Sequence, residues 1–194
     1  MNLTQAPDLA DVDQSCLVVV DLQESFLRPI PGAAGVLHRS AFLVEIARLL
    51  DVPILATEQV PHRMGGTVEQ IARLLPGPAL EKACFGCGGS AHFLDAVQSS
   101  GRSQFILVGI EAHICVCQTA LQLREQGHTV FVALDAISAR SALAQEAALA
   151  RMIHSGVTVT HTESVAYEWM RTAEHPKFRE ALKIVKEYDR GEDL

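Results

Sequence analysis

The chain has 194 residues, enough for one domain with a substantial core; 48% are hydrophobic and 20% charged, ordinary globular usage that argues against disorder. With 16 basic against 23 acidic side chains the formal charge is −7, and no basic run is present to release phosphate counterions, which argues against a nucleic-acid partner. No stretch approaches the roughly 20 apolar residues of a bilayer span, so no membrane role is expected.

The opening segment, MNLTQAPDLADVDQS, has neither a basic start nor an apolar run and does not read as a signal peptide. Five cysteines without a secretory signal read as reduced thiols, and the expected compartment is the cytoplasm. In chain order, Cys16–Asp21 (CLVVVD) is an apolar run that predicts a strand, followed by a helix over Leu37–Leu50. Val52–Thr57 predicts a second strand, and Ala79–Cys84 a short one. A helix over Ser90–Ser100 leads into a strand over Ser103–Gly109, and a helix over Ile114–Gln126 into a strand over His128–Leu134. Gly101 and Gly127 fall where glycine is expected beyond a helix C-terminus. A helix over Ala142–His154, a strand over Gly156–His161 and a helix over Pro176–Tyr188 complete the series. Pro176 suits the first turn of that last helix, where its missing N–H is not needed.

Strands apolar on every side suit a parallel sheet covered on both faces, and the alternation predicts an open α/β sandwich. With no linker, repeat or low-complexity tract, residues 1–194 read as one domain. Ligands of such sheets bind outside the carboxyl ends of the strands, so reactive residues just after a strand are the candidates.

Asp21 ends the first strand, where an acid would be partly desolvated and able to hold a proton; a turn or capping role competes with this. Cys115 follows the strand ending at Gly109 and falls near the start of the next helix. That position lowers a thiol pKa and offers backbone N–H groups to an oxyanion. Taken alone, nucleophile and buried core thiol are both open for Cys115. Cys117, two residues on, points to nearly the opposite side of a helix, so the two should not act as a pair. Lys82 sits at the end of a short strand, where it could pair with a thiolate and a carboxylate or simply be solvated. Cys84 and Cys87 have C-x-x-C spacing, but Gly86, Gly88 and Gly89 make the segment a loop, and no second ligand pair completes a zinc site. Packing or oxidation-sensitive loop cysteines compete there with a redox role. His62, His92 and His113 form no ligand spacing, and no glycine-rich phosphate loop follows a strand.

Together these segments resemble the isochorismatase-like hydrolases, over nearly the whole chain from about Cys16 to Glu187. The resemblance rests on VVVDLQESF around Asp21, ATEQVPHRMGGTV after the second strand, EKACF around Lys82 and GIEAHICVCQTALQL around Cys115, continuing through ALDAISARS to HPKFREALKIVKE. The second-strand block and the tail look nearest to the isochorismatase-domain-containing branch. The resemblance implies a three-layer α/β/α sandwich with a six-stranded parallel sheet in the order 3-2-1-4-5-6. It also implies a triad at the carboxyl edge, with Cys115 as nucleophile, Asp21 as general acid/base and Lys82 as charge partner. A cis peptide between Ile110 and Glu111 is implied, with the N–H groups of Glu111 and Cys115 as oxyanion hole. Gln23, Phe26, Gln59 and Ile110 match positions lining the family pocket.

Metal-dependent nicotinamidases of the family carry Asp-x-His after the second strand; here that stretch reads Glu58-Gln59-Val60-Pro61-His62, so no catalytic metal is expected. No cofactor is expected either. The resemblance thus implies a cysteine-dependent hydrolase of a small-molecule amide, working through a thioester, in a homo-oligomer. The competing expectation is a catalytically silent binding or assembly protein on the same fold.

Overall fold

The computed structural model describes residues 9–189. The start of the segment examined for a leader, as far as Asp8, lies outside the described residues, as does the end of the domain span after Asp189. Six strands, β1 Ser15–Val20, β2 Ile54–Gln59, β3 Leu80–Lys82, β4 Gln104–Ile110, β5 Thr129–Ser138 and β6 Thr158–Thr160, form one sheet in the order β3-β2-β1-β4-β5-β6. Every pairing in it is parallel. Among the described residues, six helices of nine or more residues flank it: α1 Ala33–Leu49, α2 Ala91–Ser100, α3 Cys117–Glu125, α4 Ala142–His154, α5 Thr162–Met170 and α6 Phe178–Asp189.

The apolar runs alternate between two cores. Leu17 and Val19 of β1, Ile106 and Val108 of β4, and Phe131 of β5 pack with Phe42 and Ile46 of α1, Trp169 of α5 and Val185 of α6. Cys16, Val18 and Val20, Phe105 and Leu107, and Val130 and Val132 pack instead with Phe93 of α2, Leu123 of α3 and Met152 of α4. A strand with both faces buried must be apolar at every position, which is why these runs do not alternate with polar residues. Gly109 adopts φ +117°, and a Cβ there would lie 2.1 Å from the Val20 carbonyl oxygen, so β1 and β4 approach as closely as they do only with glycine at that position.

Several boundaries differ from the sequence expectation. The strand expected over Val52–Thr57 is displaced to Ile54–Gln59, which brings Gln59 into register with Lys82 of β3. The helix expected from Ile114 is divided: a π-helical turn spans Ala112–Val116, and α3 begins at Cys117. The last helix begins at Phe178, two residues beyond Pro176. Helix α5 has no counterpart among the expected elements; Trp169, on its inner face, donates to the buried Ser15 Oγ at 2.9 Å, so tertiary contact rather than a strong periodic signal anchors it.

Candidate active site

Strands β3, β2, β1 and β4 are neighbours, and parallel pairing puts all their carboxyl ends on one edge. Adjacent strands lie about 4.8 Å apart, so residues at those four ends are within side-chain reach of one another.

Asp21 directly follows β1 and is almost fully buried, at 1% exposure. Its backbone is held in the left-handed region at φ +49°, a conformation that costs a non-glycine residue roughly 1–3 kcal/mol and persists only where its surroundings impose it. Here the Asp21 N–H donates to the Thr57 carbonyl at 3.2 Å, and its carboxylate is gripped from two sides. Thr57 Oγ1 donates to Oδ1 at 2.8 Å, and Lys82 Nζ donates to Oδ2 at 2.6 Å.

Lys82, the last residue of β3, is buried with the acid; the two side chains are 1% and 2% exposed. Its ammonium also donates to the carbonyls of Cys84 and Phe85, at 3.1 Å each, and reaches Gln59 Oε1 at 3.3 Å. Burial is the largest single influence and pulls the ammonium down, but the charge and hydrogen bond of Asp21 together with the neighbouring Cys87 and Cys115 outweigh it, and Lys82 is held above the ordinary lysine value.

Cys115 lies in the π-helical turn after β4, and its Sγ approaches Gln59 Oε1 at 3.5 Å. Burial pushes its thiol up, and the carboxylate of Asp21 pushes it further, against the lowering effect of Lys82. The expectation that the start of a helix would lower this pKa is corrected: desolvation and a neighbouring anion dominate. The resting arrangement is therefore a neutral thiol beside the Asp21–Lys82 ion pair.

A cavity of about 400 Å³ opens over the sulfur, within the range that takes small molecules. Phe26, Pro29, Phe85, Ile110 and Ile114 supply apolar walls, and Gln59, Glu111, Arg140 and Cys115 the polar atoms. The Ile110–Glu111 peptide is cis. Arg140 Nε donates to Glu111 Oε2 at 2.8 Å, forming an ion pair at the cavity wall.

The sequence profile of the isochorismatase domain matches residues 15–164. Isochorismatase domain-containing protein 2A of Mus musculus is 39% identical over 180 residues, covering 90% of this chain and 84% of that protein. The human isochorismatase domain-containing protein 2 is 35% identical over 178 residues, covering 89% and 83%. Among solved structures, that of MAR1 ribonuclease from Caenorhabditis elegans superposes with a TM-score of 0.86 at 34% identity, covering 91% of this chain and 92% of that one.

The chain belongs to the isochorismatase family.

Membership supports a hydrolase activity in general, and the six-stranded 3-2-1-4-5-6 sheet is the arrangement found in the family's solved structures. Within this isochorismatase-family site, Asp21, Lys82, Cys115, Gln59, Phe26, Ile110 and Glu111 converge on the same edge of the sheet, as their strand ends require. Gln23 does not line the cavity. It is fully buried; its amide donates to the carbonyls of Gln59 and Gly65 and accepts from the Gln59 N–H at 2.7 Å, so it braces the end of β2 from behind. His62 and His92 are exposed, and among the described residues no group of three or more His, Cys, Asp or Glu is arranged to hold a metal ion.

Four residues of the site escaped sequence reasoning. Thr57 and Thr119 are buried hydroxyls within strand and helix, where threonine is unremarkable. Cys87, for which packing, oxidation-sensitive and redox readings competed, is fully buried against Thr57, with its Sγ 3.7 Å from Thr57 Oγ1. Arg140 lies 25 residues beyond Cys115, and no local signal ties it to the cavity. All five cysteines are free thiols.

Proposed function

We propose that this protein is a cysteine-dependent, metal-independent hydrolase of small-molecule amides. The observation that carries this reading is a buried ammonium that holds a buried carboxylate and shares Gln59 Oε1 with a thiol, where Gln59 and Cys115 line a mostly apolar cavity. Asp21 takes the Cys115 proton as the sulfur attacks the substrate carbonyl carbon. The developing oxyanion is received by the backbone N–H groups of Glu111 and Cys115, both residues of the cavity wall. Protonated Asp21 then gives the proton to the departing nitrogen, the C–N bond breaks, and an amine and a thioester on Cys115 result. Asp21 next removes a proton from water, hydroxide attacks the thioester carbonyl, and the carboxylic acid leaves as the thiol is restored. Lys82, paired with Asp21 at 2.6 Å, offsets the negative charge that builds up when the sulfur ionises. No metal enters this scheme, because Gln59 is a neutral amide and His62 is exposed and does not line the cavity. Gln59 and Phe26 are proposed to contact the substrate.

The test is incubation of the protein with a panel of small primary amides, following ammonia release and intact mass. Turnover with an acyl adduct mapped to Cys115 supports the reading, and Cys115→Ala should abolish turnover while leaving the unfolding midpoint within a few degrees of wild type. Absence of turnover, with no acyl adduct on Cys115 for any amide of the panel, would favour a binding protein on this fold. The C. elegans protein carries the name of a ribonuclease. RNA cleavage is the weaker reading for this chain, whose net charge is −7 and whose cavity-lining Arg140 is already paired with Glu111. RNA in the same panel should therefore remain intact.

A further inference from the structure

Asp21 must be aimed as well as ionised: one carboxylate has to face the thiol while holding Lys82. Its Oδ2 is taken by the ammonium at 2.6 Å and its Oδ1 by Thr57 Oγ1 at 2.8 Å, so the carboxylate plane is fixed by two donors on different strands. Thr57 holds the same residue a second time, through its carbonyl and the Asp21 N–H. A hydroxyl that donates to Asp21 can only accept from its other neighbour, and that neighbour is the thiol of Cys87, 3.7 Å away. Cys87 is fully buried, and burial pushes its thiol up to about 11, so near neutral pH it remains an S–H donor. The network then closes on the nucleophile. The Cys87 N–H donates to Thr119 Oγ1 at 2.9 Å, and Thr119 Oγ1 donates to the Cys115 carbonyl at 2.6 Å.

We infer that Thr57 is a positioning residue: its hydroxyl, oriented by the Cys87 thiol, aims the Asp21 carboxylate at Cys115 and so sets the rate at which the nucleophile is activated. This inference rests on the reading of Asp21 as proton acceptor for Cys115. It adds two residues to that reading and gives Cys87 a role other than packing or redox chemistry. Valine matches threonine in shape and favours strands, so Thr57→Val removes the hydroxyl with little change in packing volume.

The experiment measures kcat and KM for ammonia release at fixed neutral pH, with whichever small primary amide of the panel the wild-type protein turns over fastest. Thr57→Val should lower kcat by about tenfold to a hundredfold with KM little changed, the range expected for losing a hydrogen bond to a charged group. Thr57→Ser, which keeps the hydroxyl, should restore most of the rate. In an Asp21→Asn background Thr57→Val should have no further effect, because the residue it acts through is already disabled. Cys87→Ala should lower kcat in the same direction by about twofold to fivefold. A wild-type kcat in folded Thr57→Val, or equal additional slowing by Thr57→Val in the Asp21→Asn background, overturns the inference. A wild-type kcat in Cys87→Ala removes Cys87 from the relay. No turnover by the wild-type protein, or a wild-type kcat in Asp21→Asn, overturns the reading of Asp21 beneath it, a result distinct from either of the others.

Discussion

Replacing Lys82 by methionine isolates what the buried ion pair contributes to the fold. Methionine keeps an unbranched stem of similar length, so β3 retains its packing while the ammonium is lost. The partner left behind is a carboxylate whose side chain is only 2% exposed. Removing one member of such a pair costs about 3–5 kcal/mol, because the remaining charge stays buried without compensation. The carbonyls of Cys84 and Phe85 lose a donor as well, but Phe85 lies on an exposed segment where water can replace it. The Asp21 contribution therefore dominates, and it amounts to a large share of the roughly 5–15 kcal/mol that holds an ordinary domain together. Urea unfolding followed by fluorescence of the single Trp169, buried on α5, measures it directly. Asp21→Asn, which strands the ammonium, should cost a comparable amount. The double variant Asp21→Asn/Lys82→Met should cost at least about 2 kcal/mol less than the two single variants together. A loss below about 1 kcal/mol in Lys82→Met, or strict additivity in the double variant, would refute the account of a desolvated pair.

Asp21→Asn should lower kcat by about 10²–10⁴-fold against any amide the protein turns over, and undiminished turnover would remove Asp21 from the mechanism. Stability should fall as pH rises above 9. Burial raises the thiols of Cys16 and Cys87 from 9.0 to about 12 and about 11, so the folded chain holds these protons more tightly than the unfolded chain. Their contribution is complete below pH 9 and is lost between 9 and those values, at about 1.4 kcal/mol per pH unit for each thiol. Lys82, held above its ordinary 10.5, adds loss of the same sign only beyond that point. Urea midpoints from pH 7 to 10.5 should thus fall only at the alkaline end, with a shallower fall in Cys16→Ala; a flat profile would contradict the desolvation argument. Gly109→Ala should destabilise by about 3 kcal/mol or more, since its Cβ meets the Val20 backbone from a left-handed φ. Near-wild-type stability would mean that β1 and β4 can separate without penalty.

Much of the architecture was legible because it depends on local chemistry repeated along the chain. Runs such as Cys16–Val20 and Phe105–Val108 are apolar at every position, and only strands buried on both faces require that. Alternation with helical segments then implies a parallel sheet, and the carboxyl-edge rule points to Asp21, Lys82 and Cys115 from their places in the chain. What local chemistry could not supply was the environment of those three groups. The position of Cys115 near a helix start argues for an easily ionised thiol, whereas the folded chain surrounds it with apolar walls and a carboxylate that reverse the direction.

Segments far apart in sequence meet at this edge, and no short-range pattern records which of their side chains will touch. Thr57 and Cys87 are separated by 30 residues, yet Thr57 Oγ1 lies between the Cys87 sulfur and Asp21. Gln23 and Gln59, matched alike to a family pocket, end with opposite roles, one behind the strand and one at the cavity. The sequence by itself determined the presence of the strands, their order through family resemblance, and which residues are candidates for chemistry, because periodicity and residue type act locally. Only the tertiary structure decided burial, hydrogen-bond partners and therefore protonation, because these depend on which distant side chains exclude water from the same few ångströms.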